Sequence, residues 1–232
     1  MNINTLRVVN KEITGRIKDE KKLKCSQEYF VLAFLKYKFP GKYKDVIKAE
    51  KPDLQGEKVF VEVTTLETYE DMQANKEFAK FCEDHDEQRA TTIEKTGNAL
   101  RYYAVTDFQS LDNGGGYNFE YDRLLLDQRV CEKIKKAEGY DKKNRTPELA
   151  LVKNDRPLLE WLEKIDDSLE AIVNNQETYE TIYILFPEGC IYIEKGKSPQ
   201  KVELSQEEYS RLKTIGRMTA EEEIRPDDEE WK

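Results

Sequence analysis

A mixed β-sheet flanked by helices is the architecture this sequence predicts, and three observations lead to it. Segments with helical hydrophobic spacing alternate with short β-branched and aromatic runs. Cap and turn residues fall between those segments. No internal repeat interrupts the alternation.

Taken in order, Ser26 is placed to N-cap a helix that runs to about Lys38, where Pro40-Gly41 stops it. Residues 44–49 read as a first strand or turn. Asp53 follows Pro52 at the start of a hairpin whose turn, Gln55-Gly56-Glu57, leads into a strand over residues 58–64. A period of two puts Val59, Val61 and Val63 on one face of that strand and Lys58, Phe60, Glu62 and Thr64 on the other. Residues 67–95 are rich in helix formers and carry Met72, Phe78 and Phe81, while residues 100–106 suit a strand or a helix. A helix is expected over residues 121–138 with Gly139 as its C-terminal cap. Residues 148–153 form a short apolar strand. Pro157 then opens a helix in which Leu158, Trp161, Leu162, Ile165, Leu169 and Ile172 recur at helical spacing. Residues 181–186 and 190–193 flank Pro187-Glu188-Gly189 as a hairpin. Ser205-Gln206-Glu207-Glu208 has the spacing of a capping box and begins a last short helix.

Composition limits the function classes. With 37% charged and 10% aromatic residues in a chain of 232, the protein has enough apolar material for a real core beneath a heavily charged surface. The longest apolar run, residues 29–35, is too short to cross a bilayer, and Met-Asn-Ile-Asn-Thr lacks the pattern of a secretion signal. A cytoplasmic protein without a membrane partner is therefore expected. Cys25, Cys82, Cys131 and Cys190 are scattered and His85 is the single histidine, which argues against zinc and against histidine-based triads. There is no Walker A sequence, and Gly114-Gly115-Gly116 after Asp112-Asn113 reads as a turn.

The net charge of −9 opposes a nucleic-acid partner until its distribution is considered. Residues 219–232 hold seven acids against Arg225 and Lys232, so this acidic tail contributes −5. Residues 11–24 hold six basic and three acidic residues. The chain thus divides into an N-terminal charged arm (1–24), an α/β domain (25–218) and the acidic tail (219–232). The arm reads either as a solvated helix or extended arm, or as a phosphate contact.

Two carboxylates stand out. Glu62 lies mid-strand, where burial of a charge demands compensation, and a divalent cation shared with Asp53 supplies it. Taken singly, Asp53 also reads as a turn residue and Glu62 as a solvated strand position, but neither reading accounts for both. Glu28 shares a helix line with Val31, Leu32 and Leu35, although it also complements the helix dipole. On the 121–138 helix, Lys133 falls on the inward line of Leu126, Val130 and Ala137, either as a snorkelling stem or as a functional cation.

Pro52-Asp53 followed by Glu62-Val63-Thr64 resembles the core signature of the PD-(D/E)xK nuclease superfamily, the restriction-endonuclease-like fold. It is similar to a bacterial branch in which E-V-T replaces E-x-K. The order of a helix, a strand hairpin with two acids, a helix and further strands resembles that fold from about Cys25 onward, and the helix and hairpin in 157–194 resemble the branch's carboxyl-terminal part. The resemblance implies a magnesium- or manganese-dependent nuclease acting on nucleic acid, with DNA the first expectation. It implies Asp53 and Glu62 as metal ligands and catalytic acids, and Glu28 as a further metal or water ligand. A lysine from elsewhere would stand in where Thr64 occupies the usual lysine position: Lys133 first, then Lys95 or Lys58. Thr64 carries no charge and otherwise serves as a β-branched strand residue. The alternative is a catalytically degenerate nuclease-like domain that binds nucleic acid or a protein partner, including a second copy of itself as a homodimer.

Overall fold

The structure is a computed structural model that describes residues 20–66, 119–140, 144–154, 159–226 and 228–231. These residues belong to one compact unit, formed by residues 19–66 and 119–232. The one or two helices expected over residues 67–95, the strand or helix of 100–106, the charged arm up to residue 19, Pro157-Leu158 at the expected helix opening, and Cys82, His85, Lys95 and Gly114–Gly116 lie outside the described residues.

Helix α1 spans Glu20–Lys38 and the short helix α2 spans Pro40–Tyr43. A meander follows: β1 (Ile47–Lys48), β2 (Leu54–Gln55) and β3 (Val59–Thr65). Next come α3 (Phe119–Ala137), β4 (Thr146–Val152), α4 (Leu159–Asn174), the hairpin β5 (Thr181–Phe186) and β6 (Gly189–Glu194), β7 (Gln200–Glu203) and α5 (Gln206–Ala220). The strands make one mixed sheet in sequence order from β1 to β7. β3, β4 and β5 are mutually parallel, and every other neighbouring pair is antiparallel. An α/β protein with a mixed sheet and flanking helices is thus what the sequence folds into.

Two sequence expectations are corrected. Ser26 does not cap α1, which already begins at Glu20, and residues 20–24 take the helical form of the arm's two readings. The reason is local: Glu20-Lys21-Lys22-Leu23-Lys24 is a run of strong helix formers, and it carries the helix past a residue that would otherwise favour its start. Part of the acidic tail packs on α1. Ile224 is buried, and Trp231 packs edge-on against Tyr29 at 6.2 Å between ring centroids. Its indole N–H donates to Thr219 Oγ1 at 3.2 Å. At the β5–β6 turn the connection is tighter than expected, because Gly189 already belongs to β6. A Cβ on Gly189 would meet the Val202 carbonyl of β7 at 2.1 Å, which requires glycine there.

The capping box at Ser205 forms as expected. Glu208 N–H donates to Ser205 Oγ at 3.1 Å, and Ser205 N–H donates to Glu208 Oε2 at 2.6 Å. Lys38 and Tyr37 of α1 donate to the same carboxylate, which helps hold the Glu208 carboxyl down at about 2, after the Ser205 amide as the largest cause.

Alternation along β3 sorts the two faces of the sheet. Val59, Val61 and Val63 join Ala150, Val152 and Leu185 under α1 and α5, where Phe30, Phe34, Leu35, Leu212 and Ile215 complete one core. Phe60, Leu149, Leu151, Ile182, Ile184 and Ile193 are buried but stand outside that cluster, as do Leu126, Val130 and Ala137 of α3 and Ile165, Leu169 and Val173 of α4. Glu62 has the parity of Phe60 and so belongs with α3. Among the described residues no helix is long and apolar enough to cross a membrane.

Close approach of α1 and α5 depends on Gly216. A Cβ there would lie 2.7 Å from the Ser26 carbonyl oxygen and 2.8 Å from the Phe30 amide nitrogen, both main-chain atoms that cannot swing aside. Gly216→Ala is therefore expected to destabilise the fold by about 1–3 kcal/mol through overpacking, despite alanine's better helix propensity. The midpoint of urea unfolding measures it, and an unchanged or raised midpoint would contradict this packing.

Candidate active site

The register of the meander makes Asp53 and Glu62 neighbours. Leu54 pairs with Val61 and Gln55 with Phe60, so continuing the antiparallel ladder by one residue sets Asp53 opposite Glu62. Toward β3 the main chain of β2 stops pairing at Leu54, and the Asp53 side chain takes over: Val63 N–H donates to Asp53 Oδ2 at 2.9 Å. Asp53 follows the cis Lys51–Pro52 peptide, and its own carbonyl accepts from Ala49 N–H at 2.8 Å. Both acids are buried, Glu62 completely.

Two like charges on one sheet face repel unless cations reach them. Lys133 does so from α3, as its place on the inward helix line suggests. Its Nζ donates to Glu62 Oε2 at 3.0 Å and to the Val63 carbonyl at 2.9 Å, and lies 3.9 Å from Asp53 Oδ2. One helical turn on, Lys136 donates to the same Glu62 oxygen at 2.9 Å. Glu62 Oε1 remains buried without a hydrogen-bond partner. Tyr179, buried beneath α3, donates from its hydroxyl to the Lys133 carbonyl at 2.8 Å and so fixes that turn of the helix.

Glu28 approaches from the other layer. It is buried on α1, as its apolar neighbours suggest, and Lys24 links it to the pair: Lys24 Nζ lies 3.1 Å from Glu28 Oε1 and 3.3 Å from Asp53 Oδ1. Lys48 of β1 pairs with Glu28 Oε2 at 2.9 Å. Glu28 therefore stands beside the Asp53–Glu62 pair across an ammonium group. Among the described residues no three acidic, histidine or cysteine side chains converge closely enough to hold a metal between them. Lys58 is exposed and Thr64 half-buried.

The electrostatics follow from this arrangement. Burial alone would raise the Asp53 carboxyl, but the Val63 amide and the Lys133, Lys24 and Lys136 ammonium groups outweigh it and hold Asp53 below the usual carboxylate range. Burial disfavours the charge on Lys136, yet its hydrogen bonds and the Glu62 and Asp53 charges leave it more basic than a free lysine. The acids and lysines of the cluster thus hold one another in place through shared pairs.

Three parts of this region had weaker sequence signals. Lys136 is signalled only by its spacing from Lys133. Tyr140 stacks edge-on against Phe60 at 6.0 Å, with the Lys136 ammonium 5.8 Å from its ring centre. Glu148, the third residue of β4, is a further fully buried acid, with Val61 as its register partner, on the α1 side of the sheet. Tyr43 donates to Glu148 Oε2 at 2.6 Å and lies within hydrogen-bond distance of the Tyr183 hydroxyl, while Lys42 pairs with Oε1. Burial raises the Glu148 carboxyl more than Lys42 and the hydrogen bonds lower it.

No protein-family model, curated protein or solved structure matches this chain.

Two outcomes follow from these charges. Lys133→Met is expected to destabilise the protein, with a coupling to Glu62→Gln of about 0.5–3 kcal/mol in a double-mutant cycle of unfolding free energies. Additive effects would mean the ion pair is not formed. For Glu148, the raised folded value means its contribution favours the fold below the ordinary glutamate pKa of about 4.3 and is lost as pH rises through the folded value. The melting temperature of Glu148→Gln should therefore gain on that of the wild type as pH rises to neutrality, and a difference independent of pH would contradict it.

Proposed function

We propose that the protein is a Mg2+- or Mn2+-dependent nuclease of the restriction-endonuclease-like type that hydrolyses phosphodiester bonds in nucleic acid. One observation carries this reading: two buried carboxylates, Asp53 and Glu62, lie within 3.9 Å of a single lysine ammonium supplied by a different element. The sequence resemblance calls for two acids and a lysine at one point of a sheet, and Thr64 removes the lysine from its usual strand. Lys133 supplies that charge from α3. The order of the elements adds support, because the meander β1–β2–β3 is followed by a helix and a strand parallel to β3.

The donor set suits a hard divalent cation. Asp53 and Glu62 would hold it with carboxylate oxygens, and the buried Glu62 Oε1, with no hydrogen-bond partner, has a free acceptor to give. When bound, such an ion lowers the pKa of a coordinated water and neutralises charge on the phosphate. The protein's own groups do the rest. Val63 N–H fixes Asp53, and Tyr179 fixes the helical turn that presents Lys133. From there the Lys133 ammonium orients the attacking water and stabilises charge that develops on the phosphoryl oxygens. Lys136, more exposed, meets the phosphate from the solvent side.

Cleavage of single- and double-stranded DNA and of RNA in Mg2+ or Mn2+ tests the reading. Asp53→Ala and Glu62→Ala should each reduce cleavage by more than about a hundredfold, and Lys133→Gln by about 10²–10³. Chelation of the metal should abolish it. Equal cleavage by all variants would remove the site, whereas binding without cleavage under every metal would identify a degenerate nuclease-like domain.

A further inference from the structure

Beside Glu62 the surface folds into a cavity of about 460 Å³ whose wall includes Lys51, Gln55, Lys136, Tyr140 and Arg145. Its wall carries three cations and, among the described residues, no carboxylate, in a chain whose net charge is −9. The walls are set before any ligand arrives. Arg145 donates to Gln55 Oε1 at 2.9 Å, and its guanidinium lies 5.9 Å from the Phe60 ring centre. Tyr140 meets the same Phe60 ring edge-on. Lys136 belongs both to this cavity and to the Glu62 ion pair, which joins the cavity to the candidate active site.

Building on the nuclease reading, we propose that this cavity receives one unpaired nucleotide next to the scissile phosphodiester, making single-stranded or unpaired nucleic acid the substrate class. Its phosphate sits on Lys51, Lys136 and Arg145, the last being a planar fork suited to phosphate oxygens. Its base or sugar lies on the Tyr140 ring. The volume falls in the range of small-ligand sites, about 300–1,000 Å³. A nucleotide stacked within a duplex cannot enter such a concavity without leaving its partner, so pairing opposes binding and an unpaired strand does not pay that cost.

Fluorescence anisotropy with an end-labelled oligothymidylate of about ten nucleotides, in chelator so that nothing is cut, tests the assignment. Tyr140→Leu should weaken binding by about 5- to 150-fold, and Tyr140→Phe, which keeps the ring, should restore it. Lys51→Gln should lower the slope of affinity against salt by about 0.7, the value for one phosphate contact on a single strand. Thymidine 5′-monophosphate should compete better than inorganic phosphate, and a duplex of equal length should bind more weakly. Tyr140→Leu binding as tightly as the wild type, a duplex binding as well as the single strand, or inorganic phosphate competing as well as the nucleotide would each overturn the assignment. The two readings fail separately. Loss of binding in Tyr140→Leu without cleavage in any metal keeps the cavity and removes the nuclease, while metal-dependent cleavage with unaltered Tyr140→Leu binding removes the cavity alone.

Discussion

A carboxylate on a central strand, closed off from water, is stable only if cations are carried to it, and much of this molecule is arranged around that demand. Glu62 is completely buried, and its charge is met by Lys133 and Lys136 from one helix, while Asp53 beside it is met by Lys133 and Lys24. Removing either kind of charge leaves the other in a medium that solvates it poorly. The placement of α3 over β3, the anchoring of that helix by Tyr179, and the reach of α1 toward β2 all keep the charges in register. An apolar replacement of similar volume would avoid the desolvation cost that this cluster carries.

The two layers contribute unequally to that cluster. On the α1 side, a tight helix pair seated through Gly216 gives a rigid platform, from which Lys24 reaches Asp53 and Glu28 pairs with Lys24 and with Lys48 of β1. On the α3 side a single helical turn carries both lysines that touch Glu62. The apolar packing thus fixes the distance between helices and sheet, and the ion pairs select the arrangement of the side chains within it.

Much of this was legible in the sequence where a residue contradicted its surroundings. Glu62 within a valine-rich strand and Lys133 on an apolar helix line each broke a pattern, and both sit where that break suggested. Glu28 was legible for the same reason. The start of α1 was not, because Ser26 satisfies a local rule that the helix formers before it override. Strand β7 left no trace either: it is a short edge strand, largely exposed, whose pairing comes from its neighbour and not from its own alternation. Arg145 and Tyr140 act through where the chain carries them after α3, which spacing alone does not encode, and Glu148 at the head of an apolar run looked like a boundary residue.

The shortness of β2 has a mechanical meaning. Its ladder ends after Leu54, and the side chain of Asp53 continues where the main chain leaves off. The three residues between β2 and β3 therefore work as a ruler that decides which residue faces Glu62. Gly56 keeps that ruler short, since any side chain there would collide with Val46 and Asp45. Adding one residue would leave two plausible strands in place and slide the acids past each other, so that the sheet could survive an insertion that the charge cluster could not.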